Sequence, residues 1–104
     1  MTQKQNISKE ILKYLVQSAK VPLLLVFTAH WSPLSEIVSV VAQKVNNTES
    51  ATNVITIDID QHENLAKEFN IGSVPSVIII RNKQIQHKLE GVVSKKEILN
   101  LLRA

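Results

Sequence analysis

The chain contains no cysteine. A disulfide, a thiolate nucleophile, a cysteine-ligated zinc site and an iron–sulfur cluster are therefore all outside its chemistry as written. No apolar run approaches the ~18–20 residues that a membrane span requires, so no membrane role is expected. The first residues, Met-Thr-Gln-Lys-Gln-Asn, are polar and lead into an amphipathic segment. They do not read as a secretion signal, and the expected location is cytoplasmic. The four aromatic residues and two arginines are too few for a platform that stacks unpaired bases, so no nucleic-acid partner is expected. No repeat, linker or low-complexity stretch interrupts the sequence. Residues 1–104 read as one domain with room for a single core.

What is present is strongly patterned. Residues 7–19 place Ile7, Ile11, Leu12, Leu15 and Val16 at helical spacing, with Asn6 as the expected N-cap. Lys20-Val21-Pro22 ends that helix, because the residue before a proline is pushed out of the helical region. Leu23–Ala29 is close to uniformly apolar, the mark of a strand buried on both faces. It runs directly into Trp31-Ser32-Pro33, where serine suits an N-cap and proline the first helical position. The next helix is expected to bury Leu34, Ile37, Val38, Val41 and Val45 and to close in the polar cluster Asn46 to Ser50. Val54–Ile59 alternates, with Ile55, Ile57 and Ile59 on one face. A short helix at about His62–Phe69 precedes a loop ending in Val74-Pro75. The strand Ser76–Arg81 then turns through Asn82-Lys83 into Gln84–Leu89, which is expected to point Ile85, His87 and Leu89 one way. Ser94-Lys95-Lys96-Glu97 is a capping box opening a last helix. The order α-β-α-β-α-β-β-α predicts an α/β fold, a mixed four-stranded sheet with helices on both faces.

These segments, in this order and at these spacings, resemble the thioredoxin family over roughly residues 7–104. The likeness rests on Phe27-x-Ala29-x-Trp31, Asp58-x-Asp60, Leu65-Ala66, Ile71-x-Ser73-Val74-Pro75-Ser76, and Gly91 followed by Ser94-Lys95. It implies the thioredoxin fold, with Val74–Pro75 in the cis form that only X-Pro bonds adopt readily. It also implies a disulfide oxidoreductase active in cell redox homeostasis, which needs a low-pKa thiolate and a second, resolving thiol. The two positions concerned are Ser32 and Ser35, in Trp31-Ser32-Pro33-Leu34-Ser35. A hydroxyl is not ionised at pH 7 and forms no disulfide. The departures continue around the site: the family's buried aspartate is Val26, its lysine companion Thr56, its mid-helix proline Val40, and a tryptophan is Thr28. Natural loss of the cysteines and deliberate replacement by near-isosteric serine both fit this pattern.

Two functions follow as expectations. In the first, the protein is a redox-inactive interaction module that takes an extended protein or peptide segment beside Pro75. Trp31, Pro33, Val74, Gly91 and Val92 then line the groove, a mode that needs no thiol. In the alternative it is a thioredoxin-type oxidoreductase in which Ser32 and Ser35 stand for the nucleophilic and resolving cysteines. Either reading requires no cofactor and no metal, and fits a monomer or weak dimer. Other candidates have plainer explanations. Ser32 with His30 as base lacks a Gly-x-Ser-x-Gly elbow and any group orienting the histidine, so an N-cap role suffices. Ser35 reads as simply packed or solvated. Asp58-x-Asp60-x-His62 offers metal-type ligands, but acidic strand ends before a helix are common. His87 reads as partly buried structure. The basic ends around an acidic middle read as a solvated surface, despite a net charge of +3.

Overall fold

A computed structural model describes residues 8–48 and 52–103. Asn6, Ile7, Glu49 and Ser50, which figure in the expected first cap, first helix and polar turn, lie outside these residues. The first helix, α1, is Lys9–Ser18. Its cap is Ser8, whose hydroxyl accepts the Ile11 amide at 3.1 Å, so the expected cap at Asn6 is corrected by two residues. Both are good cap formers, and the sequence alone offers little to choose between them.

The strand β1, Leu23–Thr28, is buried along its whole length. It lies between β2 (Asn53–Asp58), which it pairs in parallel, and β3 (Ser76–Arg81), which it pairs antiparallel. The outer strand β4 (Gln84–Glu90) completes the order β2-β1-β3-β4. This is the expected mixed sheet. Each face holds its own apolar layer. Leu24, Val26, Val77 and Ile79 pack beneath α2 (Pro33–Thr48) and α4 (Lys95–Arg103). Leu23, Leu25, Phe27, Ile78 and Ile80 pack beneath α1 and α3 (Glu63–Glu68). A strand with both faces covered has no solvent side to mark with polar residues, hence the unbroken apolar run.

Two expectations about facing are overturned. In α2 the buried residues are Ser35, Val38, Ala42 and Val45, while Leu34 and Ile37 are 48% and 49% exposed. The expected stripe 34-37-38-41-45 and the observed one 35-38-42-45 share Val38 and Val45, and Val41 packs partly buried against the same core. Small side chains at 35 and 42 let the helix sit close on the sheet, which hydrophobicity does not reveal. The helix also continues through Asn46–Thr48, with the Thr48 hydroxyl donating to the Lys44 carbonyl at 2.9 Å.

The second correction concerns β4. Ile79 pairs with His87 but Ile80 with Ile85, so Gln86 is an extra residue in a β-bulge. A bulge re-aims side chains. Ile85 is thereby carried to the α1–α3 face, opposite to His87 and Leu89. The turn before it has Asn82 and Lys83 at φ 56° and 65°, both left-handed, as a two-residue hairpin twist demands. Asparagine tolerates that conformation, whereas lysine sits there at a cost of roughly 1–2 kcal/mol. The Arg81 guanidinium ties the hairpin to the Leu102 carbonyl of α4, and Lys88 donates to the carbonyls of Phe69 and Asn70 after α3. No helix among the described residues is long and apolar enough to cross a membrane.

Candidate functional site

The sheet register brings three loops to one end of the molecule. Phe27 stands opposite Ser76, and Ser76 opposite Glu90. The loop after β1, the loop before β3 and the loop after β4 therefore leave the sheet at the same edge. They carry, in turn, Trp31-Ser32-Pro33, Val74-Pro75 and Gly91-Val92. Val74–Pro75 is cis, as expected. The Gly91 amide donates to the Pro75 carbonyl at 2.9 Å, with Gly91 at φ 82°, a left-handed value that glycine adopts without a Cβ penalty. Ser76 and Ser73 tighten the same junction. The Ser76 hydroxyl donates to the Ser73 carbonyl at 2.7 Å, and the Ser73 hydroxyl donates to Glu90 at 3.0 Å.

Trp31 is 61% exposed, and its position is nevertheless fixed. The indole N–H donates to Asp60 Oδ2 at 2.9 Å. Asp60 is itself presented by a tight turn, in which Asp58 Oδ1 accepts the amides of Asp60 at 2.8 Å and Gln61 at 3.4 Å. Asp60 was legible in the sequence as part of Asp58-x-Asp60, a segment of the family likeness and of a possible ligand set with His62. Its partnership with an indole 29 positions away has no local signal.

The two serines differ in setting. Ser32 is half-buried in a turn, its amide donating to Ala29 and its carbonyl accepting from Ser35. Ser35 is 4% exposed, and its hydroxyl oxygen accepts the buried Ala29 amide at 3.1 Å, which ties the end of β1 to the first turn of α2. Ser35 is thus packed and also bonded. Both serines line a small cavity of about 110 Å³ shared with Thr28, His30 and Glu36. His30 turns Nδ1 toward Asp60, 3.6 Å away, and no hydrogen bond joins it to Ser32 among the described residues. A hydroxyl without a base in reach is not activated. Behind the serines, Val26 is fully buried in the apolar layer under α2, where the family resemblance implies a carboxylate, and Thr56 is buried beside it on β2.

The ligand-type set Asp58, Asp60 and His62 is not brought together as a trio. His62 places Nδ1 3.2 Å from the Asp58 backbone carbonyl, away from the carboxylates. His30, Asp58 and Asp60 do bring one ligand-type atom each within 4.8 Å of one another. Both carboxylates have protein partners in that arrangement, the turn amides and the indole.

Comparison with known proteins agrees with this geometry. The family profile described as Thioredoxin matches residues 3–104. A thioredoxin of Griffithsia pacifica is 29% identical over 89 residues, 85% of this chain and 82% of the relative. A thioredoxin of Haemophilus influenzae is 21% identical over 103 residues, 98% and 96% of the two chains. Among solved structures, chloroplastic thioredoxin z superposes with a TM-score of 0.84 at 23% identity, covering 99% of this chain and 95% of that one. Mitochondrial thioredoxin 3 from Saccharomyces cerevisiae gives 0.80 at 16% identity, covering 88% and 85%. Sheet order, cis-proline junction and family match all lead to the same assignment: the chain belongs to the thioredoxin family and has the thioredoxin fold, with serine at both positions where the family's redox cysteines would stand.

Proposed function

We propose that this chain is a binding module that grips an extended segment of a partner protein along the edge formed by Trp31, Pro33, Val74, Pro75, Gly91 and Val92. With no thiol in the chain, it carries out no thiol–disulfide exchange of its own. The observation that supports the binding role is Trp31, a large side chain left exposed yet fastened by its indole N–H to Asp60. Preorganised aromatic anchors recognise partners at low entropic cost. Val92 and Leu34 are exposed on neighbouring segments and extend the apolar surface. One related structure, thioredoxin z, is described in terms of type-specific target recognition, in keeping with a family scaffold that selects partners.

The test is selection from a library of extended decapeptides, followed by titration of the winner into isotope-labelled protein. Resonance shifts should concentrate at residues 31–33, 74–75 and 91–92, and Trp31→Ala should weaken binding at least tenfold, as loss of an aromatic hot spot of roughly 2 kcal/mol would. A selection that enriches nothing, or shifts confined to another face, would overturn the reading.

A second reading is favoured by the contrast between the two serines. Ser32 is accessible and Ser35 is buried one turn later, the arrangement that an attacking and a resolving thiol require. On this reading the protein is an oxidoreductase scaffold lacking only its sulfur atoms. Insulin reduction by the Ser32→Cys/Ser35→Cys variant decides it. Turnover would support the oxidoreductase scaffold, and silence from a folded variant would leave binding alone.

A further inference from the structure

We propose that the protein has a second site, a cleft on the α1–α3 face that binds a small anionic amphiphile, of the class of free medium-chain carboxylates. The cleft encloses about 420 Å³, within the range of roughly 300–1,000 Å³ typical of small-molecule pockets. Its floor is Leu12, Val16, Leu65, Phe69 and Ile80. Lys9, Lys13 and Lys83 stand around it with Glu68 as the single acid. Lys9 is engaged with Glu68 at 3.3 Å, while Lys13 and Lys83 are paired with no acid among the described residues. An apolar floor under two uncompensated ammonium groups complements a molecule with a hydrocarbon body and an anionic head.

Two local irregularities converge on this cleft: a bulge in the β3–β4 ladder, and a lysine at a left-handed turn position that the hairpin requires but that glycine fills without strain. The bulge at Gln86 transfers Ile85 to this face, where it lines the cleft while remaining 54% exposed. In a regular ladder it would have stayed with His87. At the turn, Lys83 occupies a left-handed position (φ 65°) where glycine would be unstrained, and its side chain is thereby set at the cleft's rim. Where a chain breaks its local rules twice at one place, a functional constraint is the expected reason. Leu12, Leu65 and Ile80 are buried and form the base of the cleft. The half-buried Val16 and Phe69 and the exposed Ile85 therefore offer the apolar contact, a small strip between lysines that suits a single free chain rather than a bilayer.

The probes are hexanoate, octanoate and decanoate, titrated below their micellar concentrations into the isotope-labelled full chain. Decanoate should bind saturably at one site, with shifts at Leu12, Val16, Phe69 and Ile85. Affinity should rise at least threefold for each two carbons added, since a fully buried methylene contributes about fourfold. Decyltrimethylammonium, with the same chain and the opposite charge, should not saturate. Lys83→Gly relieves the turn, so it should raise the thermal midpoint while weakening decanoate at least threefold. Equal binding of the two decyl compounds, no dependence on chain length, an unchanged affinity in Lys83→Gly, or shifts at the Trp31 edge instead would each overturn the proposal. So would binding to anionic vesicles without any response to free decanoate.

Discussion

At the scale of single residues, Ser35 has a structural duty independent of redox history. Its oxygen is the acceptor for the Ala29 amide at 3.1 Å, and Ala29 is buried. Removing that oxygen leaves a buried donor unsatisfied, which costs about 1–3 kcal/mol. Ser35→Ala should therefore lower stability by that amount, whereas Ser32→Ala, at a half-buried turn, should change it by less than about 0.5 kcal/mol. Equilibrium denaturation in urea measures both, and equal effects would mean that the 29–35 bond contributes nothing. The sequence placed Ser35 in the first helical turn but could not show this bond, because the acceptor's partner, Ala29, lies just past the end of the preceding strand. Val26 carries the complementary lesson. Its burial was legible from the apolar run of Leu23 to Phe27, and the loss of charge it implies is now seen as a continuous apolar layer under α2.

At the scale of elements, the two side-chain-capped helices should respond differently to the same injury. Ser94 and Glu97 form a reciprocal capping box, each side chain accepting the other's amide at 3.1 Å. Ser8 caps α1 through the Ile11 amide. Loss of either hydroxyl costs typically ~1 kcal/mol at the helix. But α4 buries Ile98, Leu99 and Leu102, while α1 buries only Leu12. Docking ties the fate of α4 to global unfolding. Ser94→Ala should therefore lower the melting temperature by about 4–8 °C. Ser8→Ala should mainly accelerate amide exchange in the first turns of α1, with a smaller thermal shift, because weakly anchored elements open locally. Equal thermal shifts and unchanged exchange in α1 would contradict this. The pattern of apolar residues was enough to order the eight elements among the described residues, since period and cap chemistry are local properties. It was not enough to orient α2 or β4. Adjacent stripes of α2 share Val38 and Val45, and the bulge at Gln86 is a decision of the β3–β4 ladder that no single strand records.

At the scale of the whole molecule, the two proposed sites lie at opposite ends of the sheet. The Trp31 edge is where β1 finishes and β3 begins, at Phe27 and Ser76. The cleft is at the other end, where Ile80 stands opposite Leu23 and the β3–β4 turn begins. Between them runs a layer of Leu25, Phe27 and Ile78 with essentially no solvent exposure. Energetic coupling requires an element with two arrangements that both ligands bias, and a close-packed layer between two sites does not supply one. By linkage, peptide and carboxylate should then bind without affecting each other. The expected result is a peptide affinity that changes by less than twofold when decanoate is saturating, and the same for decanoate when peptide is saturating. Trp31→Ala should leave decanoate binding intact, and Lys83→Gly should leave peptide binding intact. A coupling of fivefold or more, about 1 kcal/mol, would contradict independence and would identify the central layer as a relay. The reciprocal titrations must agree in size, because coupling free energy is the same seen from either ligand. A mismatch would expose a third equilibrium, such as self-association, that one ligand perturbs and the other does not.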